Sequence, residues 1–381
     1  MNLSTLNENP FLPLILTAFA AMFLCLALYP LYIRWLKAKQ ISQYIREEGP
    51  KSHAAKAKTP TMGGLCFIFS IVLVAGTFLL VNNLISIEYR SRAFIALLTP
   101  VFCGLIGFAD DYGKITSKSN AGLSAKLRLV LEFALGALLG VAIYYWNLVP
   151  DFVYAIDIGP EGISAKTFPH FTGLLEMAYV VLFVPFLMAA TSNALNLHDG
   201  MDGLAAGTSC IVFITLALML LASGQWTLSW VASTAAGALL GFLFFNKNPA
   251  KVFMGDTGSL FLGALMASLV VCGGLVIWFV PLSLIYIVEA VSVMAQVSYF
   301  KLTKPYTPPE PMDSISLAIY KLTHRLPGDG KRLLRMAPMH HHFEAIAAEK
   351  GIKEKEVVLY FWLLQIAISS ICILFFRLVH S

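Results

Sequence analysis

Ten apolar stretches of about 20 residues each dominate this chain, and that is the length an α-helix needs to cross a hydrocarbon core of roughly 30 Å. They run roughly over 11–34, 62–81, 93–109, 127–146, 173–193, 203–222, 227–245, 257–277, 279–300 and 357–379. Barrel strands would instead read as segments of about 10 residues with alternating polarity. Charged residues make up 13% of the 381 and hydrophobic ones 58%, whereas soluble domains carry charge on about a quarter of their positions. The expected fold is an all-α integral membrane protein, a bundle of about ten transmembrane helices forming a single polytopic domain over residues 1–381.

Charge orients the bundle. With the N-terminus outside, the basic residues from Arg34 to Lys58 and from Lys114 to Arg128, Lys247, Lys251, and those from Lys301 to Lys355 share one side. That side holds 23 of the 27 Lys and Arg; the other receives Arg90, Arg92, Lys166 and Arg377. Such a bias marks the cytoplasmic face, so both termini are expected to lie on the opposite side and the chain to be a multi-pass membrane protein. The first apolar stretch has no cationic segment before it and no small-residue cleavage site after it, and is read as a retained helix. Cys25, Cys66, Cys103, Cys210, Cys272 and Cys372 lie in apolar stretches without CxxC spacing and are read as packing. The net charge of +5 gives no reason to expect nucleic acid. Residues 147–172, rich in Pro, Gly and Asp, read as an outer hairpin or turn-rich loop.

Ionisable groups at the edge of apolar helices are costly and invite a functional reading. Four groups fall on the cytoplasmic side. Asp110 and Asp111 stand in GFADDYGK at the end of the third stretch; adjacent helical side chains diverge by about 100°, so the two acids are expected to divide roles. Asn193, Asn196, His198, Asp199 and Asp202 recur in NALNLHDGMDG, where the glycines permit a tight turn. Capping of the sixth helix would account for Asp202 alone. Asn246, Phe253 and Asp256 lie in NKNPAKVFMGDTGS before the eighth stretch, with Asp256 also an N-cap candidate. His340, His341 and His342 form a tract in the last loop; without Cys or HExxH it reads as phosphate contact rather than a metal site.

Aspartate oxygens suit Mg²⁺, which takes one or two carboxylates together with substrate phosphates. Lys56, Lys114 and Lys126 and the histidines can offset the remaining diphosphate charge. A site at the lipid–water boundary suits one substrate from each phase, a nucleotide sugar from the cytoplasm and an isoprenoid phosphate from the bilayer. Exchange of one phosphoanhydride for another needs no ATP-binding loop, and neither GxxxxGK[ST] nor a helix-opening GxGxxG occurs.

These motifs, with KSHAAKAKTPTMGG at 51–64, FFNKNPAKVFMGDTGSL and APMHHHFE, resemble the bacterial phospho-N-acetylmuramoyl-pentapeptide transferase family, within the polyprenyl-phosphate N-acetylhexosamine-1-phosphate transferases. The resemblance runs from about residue 30 to the C-terminus. It implies Mg²⁺-dependent transfer from UDP-N-acetylmuramoyl-pentapeptide (UDP-MurNAc-pentapeptide) to undecaprenyl phosphate, giving lipid I and UMP, in a bacterial inner membrane with the active site facing the cytoplasm and both termini periplasmic. It implies Asp256 as a magnesium ligand and Asp110 and Asp111 as the other catalytic acids, with Asp110 deprotonating or orienting the lipid phosphate. Asn193, Asn196, Asp199, Asp202, Asn246 and Phe253 match the nucleoside side, Phe253 suiting uracil stacking. Lys56, Lys114, Lys126, His340, His341 and His342 match the diphosphate and sugar side, with Lys56 and Lys58 competing for one role. Direct attack and a route through an acyl-phosphate both stay open, Glu132 and Glu289 are unassigned, and such bundles can pair as homodimers. A sister enzyme that loads GlcNAc-1-phosphate is the nearest alternative. A cation-coupled transporter would place acids near the midplane in repeated halves, and no repeat is visible.

Overall fold

The computed structural model describes residues 11–41, 59–82, 85–117, 122–145, 169–308 and 311–380. Every regular element among them is helical: α1 (Phe11–Ala38), α2 (Gly64–Val81), α3 (Ile87–Ser117), α4 (Ala125–Tyr145), α5 (Pro169–Ala178), α6 (Val184–His198), α7 (Leu204–Ala222), α8 (Trp226–Asn246), α9 (Gly255–Cys272), α10 (Val276–Leu282), α11 (Leu284–Leu302), α12 (Ser314–Thr323), α13 (Met339–Glu349) and α14 (Glu354–His380). A π-helical turn, Tyr179–Phe183, joins α5 to α6. Among the described residues ten helices are long and apolar enough to span a bilayer, and each overlaps one of the stretches read from sequence. The chain is a multi-pass helical membrane protein.

Burial sorts these helices. α7, α8 and α9 are mostly enclosed by protein, whereas the other spans leave more than half of their apolar windows outward. Outward residues such as Phe19, Phe23, Leu138 and Leu364 are large and apolar, which suits a lipid solvent. Lipid tails give helices no hydrophobic reason to associate, so close packing at small residues holds them together. A methyl group on Gly237 of α8 would lie 2.0 Å from the Ala18 carbonyl oxygen of α1, and one on Gly107 of α3 would lie 2.2 Å from the Asp256 carbonyl oxygen of α9. The second of these approaches positions the site.

Three boundaries differ from the sequence reading. The third helix continues to Ser117 rather than stopping near 109, and the fifth continues to His198 rather than 193. The end of an apolar run marks where the hydrocarbon stops, not where the backbone hydrogen bonds do; α3 at 31 residues is about 46 Å long and outreaches the membrane core. The run over 257–300 breaks after Cys272, where Gly274 takes a positive φ of 70°, and again between α10 and α11 at Ser283. Of the expected outer hairpin, residues 169–172 are already helical and the rest lies outside the described residues.

Candidate active site

The acids converge at one end of the bundle, where they sit on helix ends. Asp110 and Asp111 lie within α3, and Asp256 lies in the first turn of α9. The pair divides its work, as 100° of helical rotation requires. Asp110 turns to Lys114, one helical turn on, with Oδ2 2.5 Å from Nζ, and its Oδ1 accepts the Leu123 N–H at 2.7 Å. Asp111 turns into the protein. Its Oδ1 accepts the Asp256 N–H at 3.1 Å, and its Oδ2 accepts the Thr257 N–H at 3.0 Å and the Thr257 hydroxyl at 2.7 Å. A helix start leaves its first N–H groups unpaired, and here a carboxylate from another helix satisfies two of them. Asp256 is therefore not the N-cap of α9; Asp111 caps that helix in trans and leaves the Asp256 side chain free to face the site.

Asp256 is gripped from three directions. Asn196 Nδ2 donates to Oδ1 at 2.7 Å, Lys114 Nζ donates to Oδ2 at 2.7 Å, and Arg128 NH1 lies 3.5 Å from Oδ2. Asn196 also donates to Ser259 Oγ at 2.9 Å, so the amide orientation is fixed. Glu132, unassigned from sequence, is buried in α4 and receives the Asn193 amide, while Arg128 donates to Asn193 Oδ1 at 2.9 Å. A chain of side chains thus runs from Glu132 through Asn193 and Arg128 to Asp256. Arg128, Thr257 and Ser259 were not singled out as site residues. The i,i+4 spacing of Arg128 and Glu132 was the available signal for the first, but a surface pair reads the same way.

The α6–α7 turn supplies Asp199, half-buried, whose carboxyl is pushed up to about 7, first by burial and then by the carboxylates of Asp256, Asp111 and Asp202 around it. Asp202 and Asn246 hold backbone. Asp202 Oδ2 accepts the Ala250 N–H at 3.0 Å and Asn248 Nδ2 at 3.1 Å, and its own N–H donates to Glu354 at 3.1 Å. Asn246 accepts the Gly203 N–H at 3.1 Å and donates to the Val252 carbonyl at 3.0 Å. Asp202 therefore does not cap α7; Gly203, with φ 79°, precedes that helix without a side-chain cap. Phe253 is fixed by its backbone, donating to the Pro60 carbonyl and accepting from Gly63 N–H, both at 2.8 Å, and its ring stays partly open.

The three histidines part company. His340 is fully buried, with Nδ1 3.0 Å from Glu289 Oε2, and burial holds its imidazole down to about 4 against the pull of that carboxylate. His341 Nδ1 pairs with Glu344 at 2.9 Å, and His342 Nδ1 accepts the Arg335 N–H at 3.2 Å. His340 and His341 both press on the turn that carries Asp199: a methyl group on Gly200 would lie 2.2 Å from His340 Nε2 and 3.1 Å from His341 Nε2. Lys126 is exposed in the first turn of α4, a half-turn before Arg128, and Lys56 and Lys58 lie outside the described residues. An apolar hollow lined by Tyr179, Phe183, Val276 and Pro281 sits at the opposite end of α9 and holds no charged group.

Fold and site together define a polytopic membrane enzyme that gathers carboxylates, Lys114 and Arg128 at the ends of its helices, a class suited to phosphate-bearing substrates at a bilayer surface. The glycosyl transferase family 4 model matches residues 93–274, the segment from α3 to α9 that carries most of these residues. The phospho-N-acetylmuramoyl-pentapeptide-transferase of Staphylococcus saprophyticus is 37% identical over 347 residues, covering 91% of this chain and 94% of that protein. The enzyme of the same name from Bacillus pumilus is 35% identical over 349 residues, covering 92% and 93%. The chain belongs to the phospho-N-acetylmuramoyl-pentapeptide-transferase family.

Proposed function

We propose that this chain transfers phospho-N-acetylmuramoyl-pentapeptide from its UDP carrier to undecaprenyl phosphate, forming lipid I and releasing UMP, with Mg²⁺ and on the cytoplasmic side of the inner membrane. The single observation that carries this reading is the Lys114 ammonium held 2.5 Å from Asp110 and 2.7 Å from Asp256, at the helix ends that the charge bias of the sequence assigns to the cytoplasm. A cation resting between two carboxylates occupies the kind of position a divalent ion takes, and the raised Asp199 carboxyl beside them speaks for the same deficit of positive charge. The donor set, hard oxygens with an open side, fits magnesium. Asp256 is its proposed protein ligand, and a bound Mg²⁺ would neutralise developing phosphate charge.

The chain's own residues carry the remaining roles. Lys114 and Arg128, released from their carboxylates by the incoming diphosphate, would offset its charge together with exposed Lys126, and Lys56 is assigned to the same role by the resemblance of its motif alone. Asp110 would orient or deprotonate the lipid phosphate, whose oxygen attacks the sugar-linked phosphorus as the bond to UMP breaks; Asp111 would act by positioning Asp256. The partly open ring of Phe253 would stack on uracil, with Asn193, Asn196, Asp199, Asp202 and Asn246 shaping the pocket around the nucleoside. His341 and His342 would meet the diphosphate and sugar, and His340 would hold them in place. Periplasmic termini follow from the charge bias, and a homodimer, testable by light scattering, belongs to the same reading.

A UMP-release assay with both substrates, with and without Mg²⁺, tests the proposal. Turnover is expected only with UDP-MurNAc-pentapeptide and Mg²⁺, and Asp256→Asn is expected to abolish it in protein that remains folded in detergent. Near-normal turnover in that variant, or preference for UDP-GlcNAc, would overturn the reading.

A further inference from the structure

The strongest feature outside the acidic cluster lies behind the histidine tract. His198 ends α6, Glu289 sits in the second turn of α11, and His340 opens α13. All three are sealed from solvent, and one donor atom from each lies within 4.8 Å of the others. Glu289 Oε2 is 3.0 Å from His340 Nδ1, and Oε1 is 3.4 Å from His198 Nδ1. The second of these contacts lacks hydrogen-bond geometry, so His198 Nδ1 is buried beside the carboxylate without a hydrogen bond.

Hydrogen accounting sharpens the point. The Thr208 hydroxyl donates to the Leu204 carbonyl at 3.0 Å, which leaves its oxygen to accept from His198 Nε2 at 3.2 Å. With the His198 proton on Nε2, its Nδ1 lone pair faces a carboxylate oxygen, and two lone pairs in a dry interior are relieved by a positive centre between them, either a second imidazole proton shared with Glu289 or a metal ion. Two imidazole nitrogens and a carboxylate that can bind through both oxygens supply four donors of the nitrogen and oxygen type that zinc takes, whereas magnesium prefers oxygen alone. The Thr208 bond to Nε2 and the His340 N–H to the Glu289 carboxylate, at 3.2 and 3.3 Å, are the outer contacts that orient such ligands.

We propose that His198, Glu289 and His340 form a structural Zn²⁺ site that ties the histidine helix α13 to α6 and α11. The inference stands apart from the magnesium pocket, since none of its three ligands belongs to the acidic cluster. It also departs from the phosphate contact read from the sequence for the whole tract: adjacent histidines chelate poorly together from a helix, but one of them can join a distant histidine and glutamate.

The full chain would be purified through a tag without histidines, exposed to Zn²⁺, desalted, and measured by mass spectrometry for metal and by X-ray absorption. About one zinc per chain is expected, with nitrogen and oxygen neighbours at about 2.0–2.1 Å and the outer-shell signature of two imidazoles. Zinc should persist in Asp256→Asn and fall in both His198→Asn and Glu289→Gln. Less than about a tenth of a zinc per chain in the wild type would overturn the site and leave a hydrogen-bonded triad. Retention in both variants, or loss in Asp256→Asn alone, would overturn it equally. Should the variants fail to fold, the wild-type absorption spectrum decides, because two-imidazole ligation is absent from the acidic pocket.

Discussion

Asparagine in place of Asp111 separates a positioning role from a chemical one. The Asp111 carboxylate is 5% exposed and accepts three hydrogen bonds, from the backbone of Asp256 and Thr257 and from the Thr257 hydroxyl. Asparagine keeps the shape but presents NH₂ on one side, so a donor meets a donor at one of the two backbone groups. A hydrogen bond to a charged acceptor contributes about 1.5–3 kcal/mol, and the lost charge at the start of α9 removes about 0.5–1 kcal/mol more. Losing one or two of the bonds puts the expected destabilisation at about 2–7 kcal/mol. The first turn of α9 carries Asp256, so part of that loss should appear as a misplaced carboxylate. If about 1.4 kcal/mol falls there, half-saturating Mg²⁺ rises tenfold. Unfolding in mixed micelles measures the first quantity, and a magnesium titration of UMP release measures the second. Abolished turnover with native stability in Asp111→Asn would refute the trans-cap argument and give this carboxylate a direct part in the chemistry.

Gly107→Ala should separate α3 from α9, because the added methyl group would fall 2.2 Å from the Asp256 carbonyl oxygen; a stability loss of about 1–3 kcal/mol and a steep fall in UMP release are expected, and a silent variant would contradict the packing. Phe253→Ala should weaken nucleotide binding by about 1–3 kcal/mol if stacking is the main loss, read by calorimetry with UDP-MurNAc-pentapeptide; unchanged affinity rejects that placement. Asp199 titrates near 7 in the folded chain against about 3.9 in an unfolded one, so the folded state holds this proton more tightly and wild-type stability is lost as pH climbs through that window. In magnesium-free protein the melting temperature of Asp199→Asn should therefore gain on the wild type between pH 5 and pH 8; a difference that stays flat with pH would refute it.

Much of the site was legible because its residues announce themselves in an apolar chain. Asp110, Asp111, Lys114, Asn193, Asn196, Asp199 and Asp256 all stand at span edges, where polarity is expensive, and the structure brings them to one end of the bundle. Their division of labour was not legible. Asp111 reads like its neighbour until α9 is seen to begin against it, 146 residues further along the chain at Thr257. Asp202 and Asn246 look like ligand contacts by residue type, yet their polar atoms are engaged by Ala250, Asn248, Gly203 and Val252. His340 is indistinguishable from His341 and His342 in sequence, and only the packing of α13 on α11 turns it to Glu289.

The sequence by itself determined the number of crossings, the helical class and the face where charge collects, because a bilayer imposes length and polarity on each segment separately and these are written residue by residue. Tertiary structure alone decided which acid caps a helix, which faces the pocket and which histidine is sealed away. Those assignments depend on contacts between segments dozens to more than a hundred positions apart, set by close approaches such as Gly107 on Asp256, and no local pattern encodes them.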